Sequence, residues 1–285
     1  MNIAITGATG QLGRFVIESL IQLNSQHHII ALVRDLEKAS VLKAQGIEIR
    51  HFDYDQPQSL ANALKGVDKL LLISANEVGR RTLQHKAVID AAKIANVPYI
   101  AYTSLLRADT SPLGLAQEHR ETEALIKQSG LSYTLLRNNW YSENYLASLQ
   151  HVIETGILFG AAADGQISSA TRQDYAEAAA HVLNGTEHHN KTYELAGSQA
   201  FTLSDLAELI SKASSKHIRY QNLSAEDYKQ GLAQAGLAPE LIEVIVDADV
   251  QATQGAMYSE ITDLEHILGR ATTSIADSIK HTLQV

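Results

Sequence analysis

The first 23 residues constrain this chain more than any later stretch. An apolar run at 2–6 leads straight into Gly7-Ala8-Thr9-Gly10-Gln11-Leu12-Gly13, after which Leu12, Phe15, Val16, Leu20 and Leu23 recur at helical spacing. A strand, a G-x-x-G-x-x-G turn and a helix with one apolar stripe therefore follow each other without a gap. Each glycine has its own task in such a unit. Gly7 permits a tight turn, Gly10 lets an anion approach the backbone, and Gly13 lets the helix pack against the strand. The helix N-terminus adds unsatisfied N–H groups and a positive dipole. A purely structural turn would also use glycine, but the position between first strand and first helix points to a dinucleotide pyrophosphate.

Further apolar runs at 28–34, 48–54, 69–74, 99–104 and 133–138 alternate with stretches of helical period, such as Val88, Ala91, Ala92 and Ala95. Strands that alternate with helices predict right-handed crossovers and a parallel sheet covered on both faces. Leu70, Leu71, Leu72 and Ile73 are apolar without alternation, as a doubly buried strand should be. Beyond residue 139 the rhythm changes. It predicts a helix over 140–154, a strand at 156–160, a helix over 172–183 and a strand at 191–196. A helix at 204–214, a strand at 217–223 and helices near 225–235, 239–253 and 274–283 follow. Thr202 or Ser204 and Ser224 are candidate caps.

Composition narrows the function. The 285 residues include no cysteine, which removes disulfides, thiolate metal sites and a Cys nucleophile. Redox chemistry in this chain would have to reside in a bound cofactor. The net charge of −9 disfavours nucleic acid and anionic membranes as partners. No apolar stretch approaches the roughly 20 residues that span a bilayer, and the N-terminus has no basic leader. The expectation is a cytoplasmic protein without a membrane span.

The end of the second strand bears on cofactor choice. An acidic residue there would hold the ribose 2′-OH of NAD, whereas a cation would accept the 2′-phosphate of NADP. Ala31-Leu32-Val33-Arg34-Asp35 places Arg34 at that point, with Lys38 one turn on. This leans toward NADP(H), although Asp35 keeps NAD in play and Arg34 could instead be a surface charge paired with Asp35 or Glu37. Asp53 is placed either to meet an adenine amino group or to cap a helix. Ser74-Ala75-Asn76 follows the fourth strand with residues small enough for close approach.

A Rossmann-like chain of this length suggests a short-chain dehydrogenase, yet no Tyr is followed four residues later by Lys. Thr103-Ser104 occupies the usual Ser position. His119 and Glu123 form the i, i+4 pair on the expected helix, and His119 is a candidate proton donor or ribose contact, or else a packed residue. The run Arg137-Asn138-Asn139-Trp140-Tyr141-Ser142-Glu143-Asn144-Tyr145 starts at the carboxyl end of a strand and mixes aromatic rings with amides. That suits a flat, oxygen-bearing ligand or a nicotinamide carboxamide, and suits a packed domain junction equally.

Several blocks together resemble the NmrA-like branch of the atypical short-chain dehydrogenases. They are the 7–13 loop, Tyr102-Thr103-Ser104-Leu105-Leu106, the 108–116 segment, His119-x-x-x-Glu123 and the 135–145 segment. Ala170-Thr171-Arg172-x-Asp174-Tyr175, Tyr193-Glu194-Leu195-Ala196-Gly197 and Tyr220-Gln221-Asn222-Leu223-Ser224 extend the likeness across the chain. The resemblance implies an α/β fold: a Rossmann-like doubly wound parallel sheet with a smaller, discontinuous α/β substrate domain. Residues 1–139 and 170–200 would form the NADP-binding domain, and 140–169 and 201–285 the substrate-binding domain, with a cleft between them. It further implies reduction of a small-molecule quinone by NADPH without flavin or metal. Gly7, Thr9, Gly10, Gln11 and Leu12 would hold the pyrophosphate and Arg34 the 2′-phosphate. Ser74, Ala75, Asn76, Asn138, Asn139, Trp140, Tyr141, Ser142 and Glu143 would surround the ribose and nicotinamide. Asn139 departs from the pattern of the quinone-reducing members, where Gly is expected, and a larger side chain there would alter pocket shape. A quinone already accepts hydride readily, so proximity and orientation would do most of the work, and the missing Tyr/Lys pair is understandable. Asn138, Tyr141 and His119 are the candidates for stabilising the developing phenolate. Two other readings stay open: a non-catalytic NADP(H)-binding redox sensor, and a reductase of another conjugated substrate such as an imine dye or an enone. A homodimer is compatible with the sequence.

Overall fold

The computed structural model describes residues 1–23 and 26–284. In chain order the elements are β1 (Asn2–Ile5), α1 (Gln11–Gln22), β2 (His28–Val33), α2 (Ser40–Ala44), β3 (Glu48–His51), α3 (Pro57–Ala63), β4 (Lys69–Leu72), α4 (Arg81–Ile94), β5 (Tyr99–Leu105), α5 (Ala116–Gln128) and β6 (Ser132–Asn138). There follow α6 (Glu143–Leu146), α7 (Leu149–Thr155), β7 (Ile157–Gly160), α8 (Arg172–Asn184), β8 (Lys191–Leu195), α9 (Leu203–Ser214), β9 (Arg219–Asn222), α10 (Ala225–Gln234), α11 (Pro239–Ala252), α12 (Asp263–Leu268) and α13 (Ile275–Leu283). Two compact units result. The first holds Met1–Asp109, Gln117–Asn138 and Arg172–Glu194; the second holds Thr110–Ala116, Asn139–Thr171 and Leu195–Val285.

The first unit is built on a seven-stranded sheet of order β3-β2-β1-β4-β5-β6-β8. Every pairing from β3 through β6 is parallel, which is the Rossmann-like arrangement the alternating pattern predicts. One face is covered by a core of Ile30, Leu32, Leu60, Leu70, Leu72, Val88 and Ile100 with their neighbours. On α1, Leu12, Val16, Ile17 and Leu20 are buried, and the helix packs against α8. Each such aliphatic side chain contributes about 1.5–3 kcal/mol when fully buried. Strand order reverses between β1 and β4, which pair through Ile3 with Lys69 and Ile5 with Leu71. The carboxyl ends of these two strands therefore lie side by side. That switch point is where open α/β sheets bind ligands.

The second unit contains the parallel pair β7 and β9 with helices α6, α7 and α9–α13. Thr202 caps α9 in a capping box with Asp205, and Ser224 caps α10. Between the two expected caps of α9, Thr202 prevails because it precedes the first helical turn. The helix predicted over 140–154 is not continuous. Tyr141 pairs with Ala170 in a parallel bridge, and the Ser142 N–H donates to the Ala170 carbonyl at 3.0 Å. These long-range bonds hold Tyr141 out of a helix, so helix begins only at Glu143, after Ser142, and occurs as the two pieces α6 and α7. The six-residue α12 is too short to have registered as a period.

Candidate functional site

The glycine loop forms as its spacing predicts. Gly7 adopts φ +58°, in the left-handed region that favours glycine. The Gly10 N–H donates to the Gly7 carbonyl at 2.9 Å and closes the turn. A Cβ on Gly13 would lie 2.4 Å from the Gly7 carbonyl oxygen and 2.8 Å from Ala8 Cα, so helix and loop meet too closely for any side chain. No side chain caps α1, and its first turn carries no acidic residue. This N-terminus thus keeps its N–H groups and dipole for an external anion, the fit a pyrophosphate requires. Thr9 is half-buried, Gln11 is exposed, and Leu12 points into the core.

The loop after β4 lies beside it and is held from three sides. The Ile73 N–H donates to Thr6 Oγ1 at 2.9 Å, the Ser74 N–H to Thr103 Oγ1 at 2.9 Å, and the Ala75 N–H to His85 Nε2 at 3.0 Å. Arg81 Nε donates to the Ala75 carbonyl at 2.8 Å. Both polar groups of the Ala75 peptide are therefore fixed by buried side chains of α4. Because His85 Nε2 accepts, Nδ1 carries the proton and donates to Thr122 Oγ1 at 2.9 Å on α5. Burial, helped by the nearby Arg81 charge, pushes the His85 pKa down to about 3. Sequence reasoning missed Thr6, Arg81 and His85. The available signal was spacing: 81 and 85 share one face of α4, and 119 and 122 share one face of α5.

His119 belongs to the same buried network. Its Nδ1 lies 2.8 Å from Tyr102 Oη and its Nε2 3.5 Å from Arg81 Nη1. Burial, then the charge of Arg81, holds its pKa well below the ordinary value. The ring is packed, and its cationic form is disfavoured because ionising it beside Arg81 in the interior is unfavourable. Its helix partner Glu123 faces elsewhere. Arg137 grips Glu123 with Nε at 2.9 Å and Nη2 at 2.7 Å, and Ser104 Oγ donates to Glu123 Oε1 at 2.6 Å. The side chain at the dehydrogenase Ser position is committed to this cluster, while its strand neighbour Thr103 turns the other way and meets the β4 loop.

Asn138 ends β6 and is 5% exposed, and its Oδ1 is buried with no hydrogen-bond partner. A buried amide oxygen of this kind is rare and points to a donor on a ligand. Asn139, by contrast, donates from Nδ2 to the Ser168 and Met257 carbonyls, each at 2.9 Å. Its side chain is a buried staple within the second unit. Tyr141 and Trp140 lie on the extended segment that pairs with Ala170. Ser142 is fully buried with Oγ 2.9 Å from Ser169 Oγ, and Glu143 opens α6.

Arg34 is exposed at the end of β2, and its Nη1 lies 3.5 Å from Glu77 Oε1. The expected pairing with Asp35 or Glu37 does not form. Asp35 Oδ1 accepts the N–H groups of Glu37 and Lys38 at 3.0 and 3.3 Å, which engages it in the local turn. Asp53 likewise accepts from the Asp55 N–H and Gln56 Nε2. Ser74 and Ala75 are half-buried and Asn76 is exposed.

A Rossmann-like sheet, a glycine cradle at an uncapped helix and a cation at the end of β2 define a dinucleotide-binding protein. Residues 1–273 match the NmrA-like family, and the chain belongs to it. It is 53% identical to quinone oxidoreductase 2 of Escherichia coli K12, over 99% of each chain. The crystal structure of the E. coli NADPH-dependent quinone oxidoreductase complexed with NADPH superposes with a TM-score of 0.96, at 53% identity and 99% coverage of both chains. Citrobacter sp. triphenylmethane reductase complexed with NADP(H) gives a TM-score of 0.94 at 38% identity, covering 98% of this chain and 99% of that one. Among the described residues, no helix is long and apolar enough to cross a membrane.

Proposed function

We propose that this protein is an NADPH-dependent quinone reductase that transfers hydride directly to the quinone. The observation that carries the reading is the full-length likeness, at 53% identity, to an enzyme of that activity whose structure holds NADPH. The bound nicotinamide supplies the hydride; the chain supplies position. Gly7, Thr9, Gly10, Gln11 and the α1 N-terminus take the pyrophosphate, and Arg34 takes the 2′-phosphate. Ser74, Ala75 and Asn76, on a loop locked by Thr6, Thr103 and His85, take the ribose side. Asn138 Oδ1 accepts from the nicotinamide carboxamide, which satisfies its buried oxygen. Tyr141 is the candidate hydroxyl for the developing phenolate, and Asn139, Trp140, Ser142 and Glu143 shape the segment that presents it. The first unit is the nucleotide-binding one in this reading and the second is substrate-binding. The cytoplasm, where NADPH is regenerated, is its compartment.

Purified protein should oxidise NADPH when given 1,4-benzoquinone and no added flavin. Protein that binds NADPH yet turns over no quinone overturns the reading and favours a redox sensor. The likeness to triphenylmethane reductase supports a second reading, reduction of a triphenylmethane dye. Running both acceptors in one assay separates the two by kcat/KM.

A further inference from the structure

The carboxylate of Glu77 is held between two arginines. Oε1 faces Arg34 Nη1 at 3.5 Å, while Oε2 accepts from Arg80 Nη1 at 2.8 Å and from Gln84 Nε2 at 3.1 Å. Arg80 Nη2 also donates to Asp55 Oδ1 at 2.7 Å. The end of β2, the turn after β3 and the loop after β4 are thereby tied together by charge. All four ionic groups lie within the first unit, and their charges cancel. Two guanidinium forks around one oxyanion form the arrangement that recognises a phosphate monoester. Here the oxyanion belongs to the protein itself.

We propose that Glu77 is a built-in occupant of the 2′-phosphate site, that Arg80 is the second cation of that site, and that displacement of Glu77 by phosphate sets the preference between NADPH and NADH. The proposal rests on the reading of Arg34 as the 2′-phosphate ligand. A dianionic phosphate beside Arg34 meets a like charge on Glu77 unless that carboxylate withdraws. Once it withdraws, both arginines are available to phosphate oxygens. The neutral 2′-OH of NADH leaves the carboxylate where it is. Glu77 therefore opposes NADPH selectively, and Arg34 with Arg80 favour it. Arg34 and Arg80 have side chains 71% and 57% exposed, so the competition is modest and sensitive to salt.

The test is calorimetric titration of NADPH and NADH into wild type, Glu77→Gln, Arg80→Gln and Arg34→Ala. Glu77→Gln should tighten NADPH by about two- to five-fold, the range that exposed ion pairs carry, and leave NADH unimproved. Arg80→Gln should weaken NADPH by a similar factor without weakening NADH. If Arg34→Ala discriminates between the cofactors but Glu77→Gln leaves their affinity ratio unchanged, the proposal is overturned while the reading of Arg34 stands. If Arg34→Ala weakens both cofactors equally, the reading and the proposal fall together. These side chains lie at the surface, so the variants should fold, which unchanged thermal melting confirms.

Discussion

The two units bury their ionisable groups in opposite ways. In the first, Glu123 and Arg137 are 3% and 5% exposed and meet in a two-pronged ion pair, with Ser104 as a further donor. His85 and His119 are buried as neutral rings with both nitrogens engaged. In the second unit, Asp249 is 5% exposed, and its Oδ2 accepts from the Ala161 N–H at 2.8 Å. Around it lie tyrosines rather than arginine. Burial and the Asp249 charge raise the pKa of Tyr145, of Tyr220 and of Tyr228. Burial pushes Asp249 itself up to about 6. In the first unit burial thus disfavours the charged forms of His85 and His119, which suits a frame that fixes a cofactor loop. In the second unit burial instead brings the Asp249 carboxyl up toward neutral pH.

The contrast breaks first at Arg137. Arg137→Met should leave the buried Glu123 carboxylate with only Ser104 and the longer Lys127 contact at 3.5 Å, and cost up to about 3–5 kcal/mol. Denaturant melting at neutral pH measures this, and a loss below about 1 kcal/mol would show that the pair is not desolvated. His85→Leu comes next. It strands the Ala75 N–H and should cost about 1–3 kcal/mol. Because Ala75 sits in the proposed ribose loop, the KM for NADPH should rise more than kcat falls. His85→Gln, whose amide can accept from Ala75 and donate to Thr122, should recover most of the KM. Equal KM in the Leu and Gln variants would deny His85 a positioning role. His85 also carries a pH signature. Its folded pKa of about 3 lies below the ordinary histidine value of 6.5, so the unfolded chain binds the extra proton between these values. Its contribution to stability is complete above pH 6.5 and is lost as pH falls toward 3. The Leu variant should show a shallower loss of stability in acid than wild type.

The framework was legible in the residues because it depends on local signals. The β4 leucines, the glycine loop and the helical stripes each reveal themselves within a short stretch of chain. Thr202 and Ser224 mark two helix starts in the same way. What could not be read depends on partners distant in sequence. The pairing of Tyr141 with Ala170 overrides a helical pattern at 140–142. His119 and Glu123 share a helix face, yet one bonds Tyr102 and the other Arg137, and only the strand neighbours decide which. The partner of Arg34 lies 43 residues away in the β4 loop rather than beside it in the chain. Asn139 reads as a pocket residue because it adjoins Asn138. Its two carbonyl partners come from residues 168 and 257, far along the chain.

Asp249 supplies the smallest effect and the one of opposite sign. Its folded pKa of about 6 lies above the ordinary aspartate value of 3.8, so the folded chain retains a proton that the unfolded chain releases between these values. Stability from this group is complete below pH 3.8 and falls as pH rises toward 6, the reverse of His85. At neutral pH the fold must hold a buried carboxylate among tyrosines and pack it against Gly160, where an added Cβ would stand 2.9 Å from Asp249 Oδ2. Asp249→Asn keeps the shape and leaves an oxygen to accept from Ala161 while removing the charge. It should therefore stabilise the protein at about pH 7 by about 1–2 kcal/mol and remove the decline in stability between about pH 4 and 6. Urea melts of both proteins across that range decide the matter. A variant less stable than wild type at neutral pH, with the decline intact, would mean that the carboxylate is compensated in the fold and that the contrast between the two units does not hold.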